Sequence, residues 1–195
     1  MCAQTIVKTP FTDPAASTDE LQSMLRLEGE YSDEDVLNDL LMSATDYANK
    51  YLGRSLTEQV LVRQFDPPKM SGGLSAVALK QRPILLPYPP VQTVDRVYLV
   101  DNYGDETNID TDDYWLDDIK TPPELVITLS NWSNTLRVEY TAGYETVPES
   151  IKRGVLLHAA HMWMYRGDSC STEESAKQSG AIAAYRTYKV MRLGA

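Results

Sequence analysis

LRVEYTAGYETVPESIKRGVLLHAAHMWMYR, residues 136–166, is the stretch whose reading decides the fold. Its first part alternates, with Leu136, Val138 and Tyr140 on one face and Arg137, Glu139 and Thr141 on the other. A period of two predicts a half-buried strand. Gly143 then supplies a turn position where a side chain is unwelcome. Thr146 stands three residues before Glu149, the spacing of a capping box, and Pro148 suits a first helical turn because its missing N–H has no intrahelical partner there. From there the period is helical. Ile151, Val155, His158, Ala159 and Met162 share one face, while Leu156, Leu157, Ala160, Trp163 and Met164 fill most of the rest. A helix apolar on several sides is buried in a bundle or pressed against another subunit.

Upstream, residues 1–16 carry Pro10 and Pro14 without a period and read as a flexible arm. Ser17 and Glu20 repeat the capping-box spacing and open a short helix with Leu21, Met24 and Leu25 inward, ended by Gly29. Ser32 is placed to cap a second helix whose acidic first turn (Asp33, Glu34, Asp35) suits the positive end of the helix dipole. Val36, Leu37, Leu40, Leu41, Ala44, Tyr47, Ala48, Tyr51 and Leu52 form its broad apolar face, and Gly53 sits where a C-cap glycine belongs. The two helices make a hairpin, and the 146–166 helix is the natural partner for its apolar stripe.

From Arg54 the period changes to two. Strands are expected at Gln59–Phe65, Ala76–Lys80, Thr93–Asp101, Glu124–Leu129 and Thr135–Thr141, with Pro67, Pro68, Gly72 and Gly73 breaking the first from the second. The segment 83–91, PILLPYPPV, is too rich in proline for a central strand and is expected along an edge. Tyr114 and Trp115 return the chain to the sheet core, and Trp132, in a turn, either covers the core's edge, the favoured reading, or docks on a partner. The expected fold class is α+β: a small helical bundle (helices within 17–53 and 146–166) with an inserted antiparallel β-rich region at about 56–141. Residues 17–166 are read as a single domain. Residues 167–180 are small and polar and read as a mobile linker. They lead into a helical tail with Arg186, Lys189 and Arg192 at three-residue spacing: either a basic docking peptide or a solvated face near a helix C-terminus.

The totals narrow the function classes. The 195 residues suffice for a real core, and no apolar run approaches membrane-span length, so no membrane partner is expected. The first residues lack the basic and apolar regions of a secretory signal. Cys2 and Cys170 are no disulfide framework and read as free thiols in a reducing compartment. The net charge is −10, from 18 basic and 28 acidic residues, which opposes tight sequence-reading DNA binding. A protein that only lets nucleic acid pass would instead benefit from a repelling surface.

Signatures of chemistry are missing: the chain has no Walker loop, GxGxxG, HExxH or GxSxG. His158 and His161 lie three apart on a helix, but no third ligand is in reach by sequence and their neighbours are apolar, so packing or subunit contact is expected over a metal. Asp110, Asp112, Asp113, Asp117 and Asp118 belong to the densest acidic run, which has Gly104 upstream but not the spacing of a calcium loop. It reads as a solvated hairpin rim or a repelling surface. No cofactor and no catalytic residue is expected.

The pattern as a whole resembles the head–tail connector proteins (adaptors, or head-completion proteins) of tailed bacteriophages, in their long branch with a β insertion. Three stretches carry the resemblance: DVLNDLLMSATDYANKYLGRSL (35–56), LPYPPVQTVDRVYLVDNYGDET (86–107) with DYWLD (113–117), and VEYTAGYETVPESIKRGVLLHAAHMWMYR (138–166). The resemblance implies a virion protein made in the host cytoplasm. It would form a ring of twelve copies beneath the portal, extend the DNA channel and carry the next head-completion or tail protein. The implied partners are the portal, neighbouring copies and the downstream neck protein, with DNA passing through unread. The portal-docking role falls by position on Tyr185, Arg186, Tyr188, Lys189 and Arg192, and Ile151, Val155, His158, Met162 and Trp163 supply the packing helix between core and neighbour. A tail-completion or neck stopper protein is the alternative within the same particle. A cell-wall hydrolase using Asp and Glu as acid and base is a more distant alternative. So is a DNA-binding regulator, against which Asp33, Glu34 and Asp35 stand where phosphates would lie.

Overall fold

A computed structural model describes residues 3–27, 33–66, 82–128, 134–166 and 171–190. The chain forms two compact units, one of Met1–Pro10 with Gln59–Gly143, the other of Phe11–Glu58 with Tyr144–Ala195. The β-rich region, read as an insertion, is thus a compact unit of its own.

Among the described residues the first unit is β structure apart from a 3-10 turn at Thr111–Asp113. Its strands are β1 (Ala3–Thr9), β2 (Gln59–Phe65), β3 (Arg82–Leu85), β4 (Val91–Val100), β5 (Glu106–Asn108), β6 (Tyr114–Asp117), β7 (Glu124–Ile127) and β8 (Thr135–Ala142). They form two antiparallel sheets, ordered β1-β2-β8-β4-β5 and β3-β7-β6. β8 is the centre of the larger sheet, and its alternation is as expected: Leu136, Val138, Tyr140 and Ala142 are buried, while Arg137, Glu139 and Thr141 are half-buried. The buried set packs with Leu61, Val97, Leu125 and Ile127 into one core drawn from both sheets. The Tyr140 hydroxyl donates to the Pro87 carbonyl at 2.7 Å, so the largest buried side chain keeps its polar end satisfied. Pro83 lies in β3, which among the described residues is an edge strand paired only with β7, where a residue without an N–H belongs.

Two expectations for this unit change. Residues 3–9, read as part of a flexible arm, are a strand paired with β2 from Ala3↔Phe65 to Thr9↔Val60. A strand on one edge needs only half its backbone groups paired, so a weak apolar pattern hides it. Trp115 is not in the core. It is 56% exposed, because adjacent strand residues face opposite ways and Tyr114 and Leu116 take the inward side of β6. The expected strand Ala76–Lys80, the breakers Pro67, Pro68, Gly72 and Gly73, and Trp132, Cys2 and Cys170 lie outside the described residues.

The second unit is helical: α1 (Thr18–Leu25), α2 (Glu34–Leu52), α3 (Glu149–Met164), α4 (Thr172–Gln178) and α5 (Ala181–Tyr185), the last followed by a 3-10 turn at Arg186–Tyr188. α1 opens on the expected capping box: Glu20 N–H donates to Ser17 Oγ at 3.3 Å and Ser17 N–H to Glu20 Oε2 at 3.0 Å. It ends at Arg26, in the left-handed region at φ 55°; the expected stop, Gly29, lies outside the described residues, as does Ser32. α2 starts from Asp33 as N-cap and ends on Gly53 at φ 66°, as expected of a C-cap glycine. The core joins Leu21 of α1, Leu37, Leu41, Ala44, Ala48 and Leu52 of α2, and Ile151, Val155 and Ala159 of α3.

α3 begins later than expected. Pro148 itself is the N-cap, in extended conformation, and no side chain caps the helix. Glu149 therefore occupies the first helical position and not the third, so it cannot form a box with Thr146. Residues 172–178 are a helix and not a linker. Ser171 Oγ accepts from Glu174 N–H at 3.2 Å, and Ser175 and Ala176 are buried. Small side chains let that short helix approach α3 closely, a property that composition alone reads as disorder.

α5 meets α3 at Gly154. A Cβ at that position would lie 2.5 Å from Cε1 and 2.9 Å from Cδ1 of Tyr185, whose ring is fully buried. We expect Gly154→Ala to destabilise the unit by about 1–3 kcal/mol, the usual cost of overpacking. The Tyr185 hydroxyl is buried and has no hydrogen-bond partner among the described residues, so Tyr185→Phe is expected to change stability by less than about 1 kcal/mol. Urea unfolding of both variants checks the contrast.

Candidate functional site

The surfaces that could serve assembly are built from α3 outward. Two histidines on α3 hold α4. The Nε2–H of His158 donates to the Thr172 carbonyl at 2.9 Å, which assigns the proton to Nε2, since a carbonyl can only accept. His161 Nδ1 lies 2.9 Å from Ser175 Oγ. Tyr47 of α2 meets the His158 ring edge-on at 5.2 Å. His158 Nδ1 is buried without a partner among the described residues, and burial pushes the side chain's pKa below its ordinary 6.5, outweighing the hydrogen bond to Thr172. Both histidines are packing residues, and among the described residues no group of three or more His, Cys, Asp or Glu side chains is placed to hold a metal.

The C-terminal residues expected to dock on a partner divide. Tyr185 is a core residue, fully buried against Gly154 and 6.1 Å from the Tyr51 ring, so that expectation is corrected. A tyrosine in an Ala-rich helix reads equally as an anchor outward or inward, and only the gap left by Gly154 decides. Tyr188 is half-buried, and its carbonyl accepts from Arg54 Nε at 2.6 Å. Val190 N–H donates to the Leu52 carbonyl at 2.9 Å, and Lys189 Nζ stands 4.3 Å over the Tyr51 ring. Residues 185–190 are thus seated on the end of α2, leaving Arg186 and Lys189 as exposed cations. Arg192 lies outside the described residues.

On α3, Ile151, Val155 and His158 are buried, and Met162 and Trp163 are half-buried. The helix ends in an exposed tip: Met164 is 65% exposed, Tyr165 48%, and the Arg166 guanidinium stacks 4.2 Å from the Trp163 ring centre. No sequence pattern separates this tip from the core half of the same helix.

The acidic run sits in the β unit. Asp110, Asp112 and Asp113 are exposed around the 3-10 turn Thr111–Asp113, and Asp118 is exposed in the turn after β6. Asp117 differs: it is half-buried and ion-paired with Lys120 at 3.3 Å, so it adds little to a repelling surface. Asp101 is structural, accepting from Tyr103 N–H at 2.8 Å and Asp105 N–H at 2.9 Å in the β4–β5 turn.

Residues 16–79 match the family model described as phage gp6-like head-tail connector protein, a span covering α1, α2 and β2. No curated protein matches the chain. Among solved structures, a chain described as "Neck of empty GTA particle computed with C6 symmetry" shares the fold at TM-score 0.71 and 20% identity, covering 100% of this chain and 98% of that one. One from "Virion of native gene transfer agent (GTA) particle" follows at TM-score 0.70, 18% identity, 100% and 98% coverage. A third, "Neck of native GTA particle computed with C12 symmetry", has TM-score 0.68, 19% identity and 97% coverage of both chains. The resemblance to head–tail connector proteins holds in these comparisons, and the α+β fold is that of the matched chains.

The histidine contact has a pH signature. A histidine whose folded pKa is depressed contributes stability that is complete above its unfolded pKa and lost as pH falls below it. Thermal unfolding should therefore show a melting temperature that declines as pH drops below about 6.5, the ordinary histidine value. His158→Gln, which keeps a donor but does not titrate, should flatten that decline.

Proposed function

We propose that this protein is a head–tail connector: a ring subunit of a virion neck, seated beneath the portal, that extends the DNA channel and presents a platform to the next head-completion or tail protein. The observation that carries this is the family match over residues 16–79 together with a fold shared end to end with chains of particle necks. The necks of two matched chains were computed with C6 and C12 symmetry, which favours a cyclic ring, here of twelve copies. A closed ring needs two different surfaces on each copy, because heterologous contacts repeat head to tail. Its parts are structural, not catalytic.

In this reading Arg186 and Lys189 are the portal-facing cations, exposed yet held by a folded base, since residues 185–190 rest on α2. Asp110, Asp112, Asp113 and Asp118 face the passing DNA. Uncompensated carboxylates deny phosphates the cations whose neutralising contacts drive binding, so the duplex slides without being read. The second reading is a tail-completion or neck stopper protein, favoured by the share of the chain given to β structure. Binding to the tail tube in place of the portal would single it out.

Native mass spectrometry of the full chain mixed with the portal protein of the same genome tests the reading. The expected result is a discrete complex with one copy per portal subunit; binding to the tail tube alone would overturn it. Arg186→Glu combined with Lys189→Glu is expected to weaken the portal complex about tenfold or more, with the wild-type complex losing affinity as salt rises. In assembled particles, Asp112→Lys with Asp113→Lys should slow DNA ejection, most strongly at low salt, because added cations retain phosphates. Ejection kinetics unchanged at low salt would count against a lumen-facing rim.

A further inference from the structure

One edge of the larger sheet is built for pairing. β1 reads AQTIVKT, and four of its seven residues are β-branched. It hydrogen-bonds β2 on one side and, among the described residues, no strand on the other. Ile6 is 52% exposed and Val7 51% exposed. Neighbours on a strand face opposite ways, so both faces of β1 are open at its centre. Proteins normally protect such an edge with an outward charge, a proline, a bulge or a covering loop; β1 keeps regular register with β2 from Ala3 to Val7 and shifts only between Val7 and Thr9. Here the strand's one charge is turned away: Lys8 Nζ reaches across β2 to Glu139 Oε1 of β8 at 2.5 Å. Pro10 comes only after the strand ends.

The same sheet has an open stretch at its far side. β5 covers β4 only from Tyr98 to Val100, and Ile109 N–H takes the Val97 carbonyl, which leaves residues 91–96 of β4 without an outer strand among the described residues. Strand directions along the sheet alternate from β1 through β2, β8 and β4. A second copy placed beside the first in the same orientation therefore brings its β4 antiparallel to β1, with no strand reversed. Gln92, Thr93 and Asp95 are exposed on that stretch, with Gln92 Nε2 donating to the Gly143 carbonyl and the Thr93 and Thr141 hydroxyls donating to Asp95, so the two sides differ and the match between them is one of strand direction.

The geometry points to heterologous sheet pairing between copies, in which β1 of one protomer adds to residues 91–96 of β4 in the next. This rests on the ring reading above and identifies one of its subunit contacts. Main-chain hydrogen bonds supply the affinity in such strand addition, and alternate side chains supply the register. With β1 seated directly on β4, each copy contributes four strand spacings of about 4.8 Å, or about 19 Å, so twelve such steps make a ring about 230 Å around, or about 73 Å across.

The test is cross-linking in the complex formed by the full chain and the portal protein, in a Cys2→Ser, Cys170→Ser background. Ile6→Cys and Thr93→Cys, at the middle of the two stretches, are combined and treated with a short bis-maleimide, while native mass reads assembly. The expected result is a ladder of multimers from the double variant and none from either single one. Dimers from Ile6→Cys alone would mean β1 pairs with β1 and overturn the head-to-tail contact. A ring of full mass without the ladder would overturn the strand pairing and leave the ring reading standing. No ring in the unsubstituted protein would overturn both. Ile6→Lys, at an exposed position, should cut ring yield about tenfold with an unchanged melting temperature, since an edge charge is the usual block to pairing. Unchanged yield would overturn the contact as well.

Discussion

The helical unit depends on how closely α5 approaches α3. Gly154 has no side chain, and the Tyr185 ring fills the space where one would stand, 2.5 Å from the nearest possible Cβ. That contact buries one of the two fully buried tyrosines, the largest fully buried side chains among the described residues, and fixes where the C-terminal segment lies. α4 is then bracketed between the end of α3 and the start of α5, close enough for His158 and His161 to bond Thr172 and Ser175. Past Tyr185 the chain is set on course to the end of α2, where Arg54 and Leu52 receive Tyr188 and Val190. A neutral His158 is part of the same arrangement, because a second ring proton would be buried without an acceptor among the described residues.

The β unit has a comparable centre in β8, which is hydrogen-bonded along both sides by β2 and β4. Its inward side chains are all buried, and Tyr140 ties the sheet to the proline-rich segment through Pro87. Each of the unit's two antiparallel sheets has edge strands, and in the larger one, among the described residues, β1 and the first half of β4 lie open on opposite sides of β2 and β8.

A structural role in a neck suits this distribution of features. The exposed side chains include the cations Arg186 and Lys189 on the seated C-terminal turn, the carboxylates Asp110, Asp112, Asp113 and Asp118 in the β unit, and the apolar Ile6, Val7, Met164 and Tyr165 on β1 and the tip of α3. None of these patches gathers the convergent polar groups of a binding pocket. Each is instead the kind of surface that acquires meaning when a second chain lies against it.

Much of this was legible from residues alone. Period-two runs marked β2, β4, β7 and β8, because alternating side chains must match a sheet with one buried face. Ser17, Glu20 and Gly53 marked helix ends, because capping uses local hydrogen bonds and backbone angles that few residues supply. The α+β class followed from those local signals, and the family resemblance from their order. What only the tertiary structure decided were the long-range choices. β1 is a strand because β2 offers it an edge, not because its own pattern insists. Residues 172–178 are a helix because two histidines hold it against α3. Tyr185 is core and Trp115 is not, since burial depends on which neighbour leaves room, and that neighbour can be 31 positions away, as Gly154 is from Tyr185. Local propensity is written in adjacent residues, but the space a side chain occupies is set by segments that meet only when the chain folds.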